Sequence, residues 1–313
     1  MDFAIKGSGI PAERLQRYVD EQIFTMPGAD APRDSFSVVL TGSRATGTHA
    51  AESDIDIEVL CPRDVYDRVQ HAAFEKGLTS APWKNLYMLV ADDWMEYFGP
   101  GVARPHYTLN SLEEVERQFA AYDDVWLWVW TNAKVIHDPH GQFSRIRDSF
   151  AAYPQEILIR KLTYRWMLAL YWSIEQSPHH RSGEDELLPS AAAVLNGVND
   201  YLRFFFLVDG RPFPYAKRLA KFAPGTSLGA KFMPFFNHVV DLVVGRAWTE
   251  HDAWVRLDEA KRLISDGDTS PDIARLEMAG LQAMRDAGVD PQWLENHFNN
   301  MDQLLTGALG PVP

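Results

Sequence analysis

Asp54-Ile55-Asp56 places two carboxylates one residue apart in a segment, 54–60 (DIDIEVL), that alternates polar and apolar side chains. Alternation at period two marks a strand, and on a strand residues i and i+2 share a face. Asp54 and Asp56 are therefore expected side by side, with Ile55 and Ile57 turned to the core. Adjacent carboxylates repel and raise each other's pKa unless a cation lies between them. Mg²⁺ meets that need, because it takes one or two carboxylates and completes its shell with substrate phosphate oxygens. Ten residues earlier, Gly42-Ser43 follows an apolar stretch at 35–40 (SFSVVL) that reads as a short buried strand. A Gly-Ser turn after a strand exposes backbone N–H groups and a hydroxyl that can hold phosphate oxygens. Gly42 lets the backbone approach a ligand closely. Joined, the two pieces make a site for attack on a nucleotide α-phosphate, where metal ions neutralise phosphoryl charge and activate the attacking hydroxyl. An Asp-x-Asp alone is more often a solvated strand face. The conjunction of strand, Gly-Ser, a second glycine at Gly47 and Ser53-Asp54-Ile55-Asp56 on a strand carries the reading.

At Gly42, Ser43, Asp54 and Asp56 the sequence resembles the nucleotidyltransferases of the DNA polymerase β superfamily, whose hallmark is Gly-Ser, about ten residues, then Asp-hydrophobic-Asp. The resemblance implies a nucleoside triphosphate donor, with ATP expected, and Mg²⁺ on Asp54 and Asp56. It also implies transfer of a nucleoside monophosphate to an acceptor with release of pyrophosphate. Gly42 and Ser43 are expected to hold donor phosphates, with Arg44 and Ser53 beside them in the donor-binding set. Pro214-Tyr215-Ala216-Lys217 resembles a turn of related bacterial enzymes from which a helical-domain lysine reaches the triphosphate, so Lys217 joins that set, ahead of Lys221. The plan of a small catalytic domain followed by helices is similar to the aminoglycoside and lincosamide nucleotidyltransferases. The expected acceptor is thus a hydroxyl of a small, aminoglycoside-like molecule. Two alternatives stay open: a protein or RNA acceptor of the toxin–antitoxin kind, and a nucleotide-binding module without turnover. Family members usually carry a third acid on a later strand. The strand pattern at 105–110 has none, and places His106, Thr108 and Asn110 on one face. Glu58, Glu96 and His106 are the candidates for that place.

Positioning these residues requires a fold of the α+β class. Pro11 opens a helix, 62–77 reads as a helix ending near glycine, and 86–90 and 105–110 are further strands. Ser111-Leu112-Glu113-Glu114 is a capping-box pattern that starts the next helix. Val125 to Trp130 (VWLWVW) is apolar all round and reads as a buried element rather than a base-stacking platform. His137-Asp138-Pro139-His140 reads as a turn opening a helix, not a metal cluster. Beyond about residue 154 the patterns are helical, near 155–176, 187–208, 228–245, 249–266, 272–286 and 291–306, and no strand is expected. The aromatic run Phe204 to Phe206 fits a buried helix, and His179-His180-Arg181 an exposed loop. The expected organisation is a minimal nucleotidyltransferase domain with a small mixed sheet over 1–150, then an all-helical bundle over 151–313. The active site is expected in a cleft between them.

Composition narrows the partners. The 313 residues carry a formal net charge of −13, are 46% hydrophobic and 23% charged, and hold a single cysteine, Cys61. No intrachain disulfide or CxxC site can form. The acidic balance disfavours nucleic acid, which needs a basic face, and suits a cationic small substrate. The longest stretch free of charge, 187–199, contains proline, asparagine and glycine and does not suit a membrane span. No signal peptide is visible, so a cytoplasmic location is expected. A homodimer is left open.

Overall fold

The structure is a computed structural model. It describes residues 7–78, 87–89, 94–99, 105–175, 187–245, 247, 249–265 and 270–295. His179, His180 and Arg181 and residues 296–306 of the last expected helix lie outside the described residues. Two compact units divide the chain, Met1–Ala151 and Ala152–Pro313.

In the first unit, five strands form one sheet: β1 (Ser37–Leu40), β2 (Ile55–Cys61), β3 (Tyr87–Leu89), β4 (Pro105–Ser111) and β5 (Lys134–His137). Their order is β3-β4-β2-β1-β5. β2 and β4 are parallel, with Asp56 beside His106 and Glu58 beside Thr108, and the remaining pairs are antiparallel. The sheet is thus mixed, as expected. Helices α1 (Ala12–Tyr18), α2 (Gly42–Ala45), α3 (Arg63–Glu75), α4 (Trp94–Phe98), α5 (Leu112–Ala120), α6 (Asp124–Asn132) and α7 (Gln142–Asp148) complete the unit. One face of β2 sends Ile55, Ile57 and Val59 into a core shared with Leu15, Tyr18, Val65, Val69, Tyr107 and Leu109. The alternation that buries these residues turns Asp56, Glu58, His106, Thr108 and Asn110 to the opposite face. That opposite face closes at its far end, where Val39 and Leu60 are fully buried, and is polar where Asp54 and Asp56 begin the strand.

Local chemistry explains the element ends. The Ser111 hydroxyl accepts the Glu114 N–H at 3.1 Å and starts α5, as the capping-box pattern predicts. Asp123 caps α6 by accepting the Val125 and Trp126 N–H groups. The VWLWVW segment is therefore a helix, with Trp130 buried and Trp126 at the surface. β5 was not expected. It pairs with β1 at the sheet edge, and Asp138 just beyond it ties three elements together. Its carboxylate accepts the Ser37 hydroxyl at 2.7 Å and both the hydroxyl (2.7 Å) and N–H (2.9 Å) of Ser144 on α7.

Partial burial works against the Asp138 charge, but these hydrogen bonds outweigh it and hold its pKa below the usual aspartate value. A depressed carboxylate adds stability above its unfolded pKa of about 3.9, and loses it as pH falls through the folded value. Asp138→Asn should cost about 1 kcal/mol in urea denaturation at pH 7, a figure already reduced for partial exposure. The gap from wild type should narrow below about pH 4. A gap that widens on acidification would refute this role.

The second unit holds helices and no strand among its described residues: α8 (Gln155–Glu175), α9 (Leu187–Val208), α10 (Ala216–Phe222), α11 (Gly229–Val244), α12 (Glu250–Ser265), α13 (Pro271–Asp286) and α14 (Pro291–Glu295). The boundaries follow the apolar periodicity closely, and α10 is the addition. Phe204, Phe205 and Phe206 are fully buried in α9. Arg165 and Arg203 both bond the buried Asp200 carboxylate, at 3.0 and 2.8 Å. No helix of the described residues is long and apolar enough to cross a membrane.

Candidate active site

The Gly42-Ser43 turn and the Asp54-Ile55-Asp56 segment meet where β1 ends and β2 begins. The Thr41 N–H donates to the Asp56 carbonyl at 2.8 Å, fastening the turn to the strand. Gly42 has φ +65°, and a Cβ placed on it would lie 1.9 Å from Asp56 Oδ2. Glycine is required there twice over, for its left-handed backbone and for the carboxylate pressed against its Cα. The N–H groups of Gly42, Ser43 and Arg44 open α2 and have no helical carbonyl behind them. The Ser43 hydroxyl forms no hydrogen bond among the described residues, although the side chain is largely buried.

Arg44 sits behind the turn, 3% exposed. Its guanidinium donates to the carbonyls of Ser8 (3.0 Å), Ala51 (3.1 Å) and Ser53 (3.1 and 2.8 Å). Burial lowers its pKa, while Asp54 and Asp56 pull it upward. The Ser53 hydroxyl accepts the Ala50 N–H at 2.9 Å, so Ser53 also shapes the loop between the two motifs. The Arg44 guanidinium is thus bonded to backbone carbonyls, while the Ser53 hydroxyl, which accepts one backbone N–H, keeps its proton to donate.

Asp54 is exposed immediately before β2, and the Asp56 side chain is 33% exposed. Beside Asp56 on the neighbouring parallel strand stands His106, its Nε2 2.6 Å from Asp56 Oδ1 and its side chain 13% exposed. The hydrogen bond to Asp56 raises the His106 pKa against the effect of burial, and the charges of Asp56 and Asp54 add to it. Both carboxylates thus act on one imidazole and one guanidinium. Glu58 follows on the same face. Burial pushes its carboxyl up to about 8, against the hydrogen bond it accepts from Asn110 Nδ2 at 2.7 Å. Glu96 is exposed on α4, within electrostatic range of Arg17 on α1.

Among the described residues, no group of three or more His, Cys, Asp or Glu side chains forms a metal-binding cluster. Glu58 shares the β2 face of Asp56, whereas Glu96 lies on α4. Two carboxylates beside a turn rich in N–H donors nevertheless suit Mg²⁺, which draws its remaining ligands from substrate phosphates and water. Lys217 lies in the second unit, exposed in the first turn of α10, with its ammonium 5.5 Å from the Tyr215 ring centre. Cys61, buried at the end of β2, has its thiol pushed up to about 12 by burial and is inert.

Comparison with known proteins bears on these residues. Residues 30–91 match the family model described as "Nucleotidyltransferase domain", a span holding β1, α2, β2 and α3. Residues 119–219 match one described as "Domain of unknown function (DUF4037)". A search of curated proteins finds no match. Among solved structures, a nucleotidyltransferase-like protein from Exiguobacterium sibiricum 255-15 aligns over 94% of this chain and 91% of its own, with a TM-score of 0.39 and 10% identity. Residues 30–91, which hold Gly42, Ser43, Asp54 and Asp56, are by that match similar to nucleotidyltransferase domains, which supports a transferase activity for this part of the chain.

Proposed function

We propose that the protein transfers a nucleoside monophosphate, AMP from ATP, to a hydroxyl of a small-molecule acceptor and releases pyrophosphate. The observation that supports this reading best is the close approach of the Gly42 backbone to the Asp56 carboxylate, which puts turn and acid pair in one site. In this reading Asp54 and Asp56 hold Mg²⁺. When bound, the metal offsets charge on the phosphoryl group and makes the acceptor hydroxyl easier to deprotonate. The Ser43 hydroxyl and the first N–H groups of α2 donate to the donor phosphates. Arg44 and Ser53 are assigned to positioning, because they hold the loop that carries Ser43 and Asp54.

His106 occupies the place on β4 beside Asp56 where a third acid is expected. We assign it to orienting the Asp56 carboxylate through the 2.6 Å contact. Partners that orient a metal-binding side chain typically contribute 10–100-fold. His106→Ala should therefore lower turnover about 10–100-fold, and His106→Gln, which can still donate to Asp56, should recover part of the loss. An unchanged rate in His106→Ala would refute the assignment.

The strand position beside Asp56 on β4 holds His106 and not an acid, which favours one second reading, a module that binds nucleotide without turnover. Incubation with α-labelled ATP, Mg²⁺ and a panel of aminoglycoside, protein and RNA acceptors separates the two. Pyrophosphate release with label on a small molecule supports transfer. Nucleotide binding without pyrophosphate under any condition supports the silent module.

A further inference from the structure

The sheet face that carries Asp54 and Asp56 does not end at the acid pair. Two residues further along β2 it borders a cavity of about 440 Å³, within the range of small-molecule sites. Glu58, Tyr66, Thr108, Asn110, Glu114 and Trp126 border it. A strand rises about 3.4 Å per residue, so Glu58 stands about 7 Å beyond Asp56 on the same face. A ligand seated in the cavity can therefore extend a substituent to the acid pair.

The chemistry of the border is specific. Asn110 Nδ2 donates to Glu58 Oε2, which leaves the Asn110 carbonyl oxygen and the Thr108 hydroxyl without partners among the described residues. The Asn110 carbonyl oxygen can only accept, so this wall asks for a ligand edge that donates a hydrogen bond. Glu114 is already satisfied by Arg117 and Gln118, and Arg63 brings a positive charge to the same border. Two aromatic side chains, Tyr66 and Trp126, also line it. Trp126 is 37% exposed and stacks on Trp130 with ring centres 5.7 Å apart and planes at 18°. Trp130 is itself anchored by its N–H donating to Gln118 Oε1 at 2.7 Å, so the indole platform is rigid. Aromatic rings on the border of a cavity that also carries the Asn110 carbonyl oxygen suit a flat ring bearing an amino group.

We propose that this cavity is the acceptor subsite and that it takes an amino-substituted aromatic ring whose attached hydroxyl reaches Asp56. The proposal rests on the transfer reading for the direction of that hydroxyl, but ring binding itself requires neither metal nor triphosphate.

Adenosine is the probe, because it carries such a ring and hydroxyls but no phosphate. Its binding to the full chain is measured by calorimetry without divalent metal, against inosine, in which a carbonyl replaces the amino group. Saturable adenosine binding is expected, at least about 10-fold tighter than inosine. Trp126→Ala and Asn110→Leu, which removes the accepting carbonyl oxygen, should each weaken adenosine about 10-fold. Trp126 lies at the surface, so its variant should keep the wild-type melting temperature, which keeps the test valid if Asn110→Leu unfolds. The measurement uses neither metal nor triphosphate and reads no turnover, which separates this test from failure of the transfer reading. A non-hydrolysable ATP analogue with Mg²⁺ should bind together with adenosine. Absence of adenosine binding, equal binding of inosine, or unchanged binding in Trp126→Ala would overturn the ring subsite. Competition between adenosine and the ATP analogue would overturn its assignment to the acceptor.

Discussion

Asp56→Asn is expected to lower nucleotidyl transfer at least about 10³-fold while leaving the fold intact, with Asp54→Asn close behind. The substitution keeps shape and volume, and asparagine Oδ1 can still accept from His106 Nε2, so the contact between β2 and β4 survives. What disappears is a negative charge aimed at the place where metal ions would meet the donor phosphates. Stabilisation of developing phosphoryl charge is worth several kcal/mol, and each 1.36 kcal/mol is tenfold in rate, which sets the size of the effect at about three decades or more. Steady-state pyrophosphate release, with circular dichroism to verify folding, measures it. A well-folded Asp56→Asn with wild-type rates would remove the acid pair from the mechanism.

Gly42→Ala should produce the second largest loss. The backbone at φ +65° costs a non-glycine residue about 1–2 kcal/mol, and the new methyl group would land on Asp56 Oδ2. The carboxylate must swing away, and a misplacement of about 1 Å at a reacting centre can cost 10²-fold in rate. Gly47→Ala supplies the control. Gly47 also has positive φ, at +69°, but a Cβ there meets only the Gly7 carbonyl oxygen at 3.7 Å, ordinary contact. Both variants should lose similar stability in urea denaturation, while only Gly42→Ala should lose about 100-fold in turnover. Equal activities in the two would show that contact between Gly42 and Asp56 is immaterial.

Much of this arrangement is legible in the residues themselves. Alternation in DIDIEVL identifies β2 and the face its acids share, because one buried side leaves no other register. Long apolar periodicities mark the helices of the second unit, since a helix of 16 to 22 residues repeats its pattern several times. Short elements escape. β5 has only four residues and sits at the sheet edge with half-buried or exposed side chains, so no alternation announces it. The roles of Arg44 and His106 escape for a different reason. An arginine beside a phosphate-binding turn looks like a phosphate ligand, and only the three-dimensional path of the chain brings the carbonyls of Ser8, Ala51 and Ser53 around it. His106 is visible as a polar residue on a strand, but its place beside Asp56 depends on the register of two parallel strands separated by half a domain. The cavity beyond Glu58 is assembled from β2, α3, β4, α5 and α6, and no local pattern encodes such a convergence.

The account stands or falls on where the donor nucleotide binds. A crystal structure of the protein with Mg²⁺ and an ATP analogue that cannot be cleaved between the α- and β-phosphates tests this most directly. The account predicts the triphosphate on the Gly42-Ser43 turn and a divalent ion shared by Asp54, Asp56 and phosphate oxygens. A triphosphate bound elsewhere, or on the turn with no ion touching either aspartate, would contradict it.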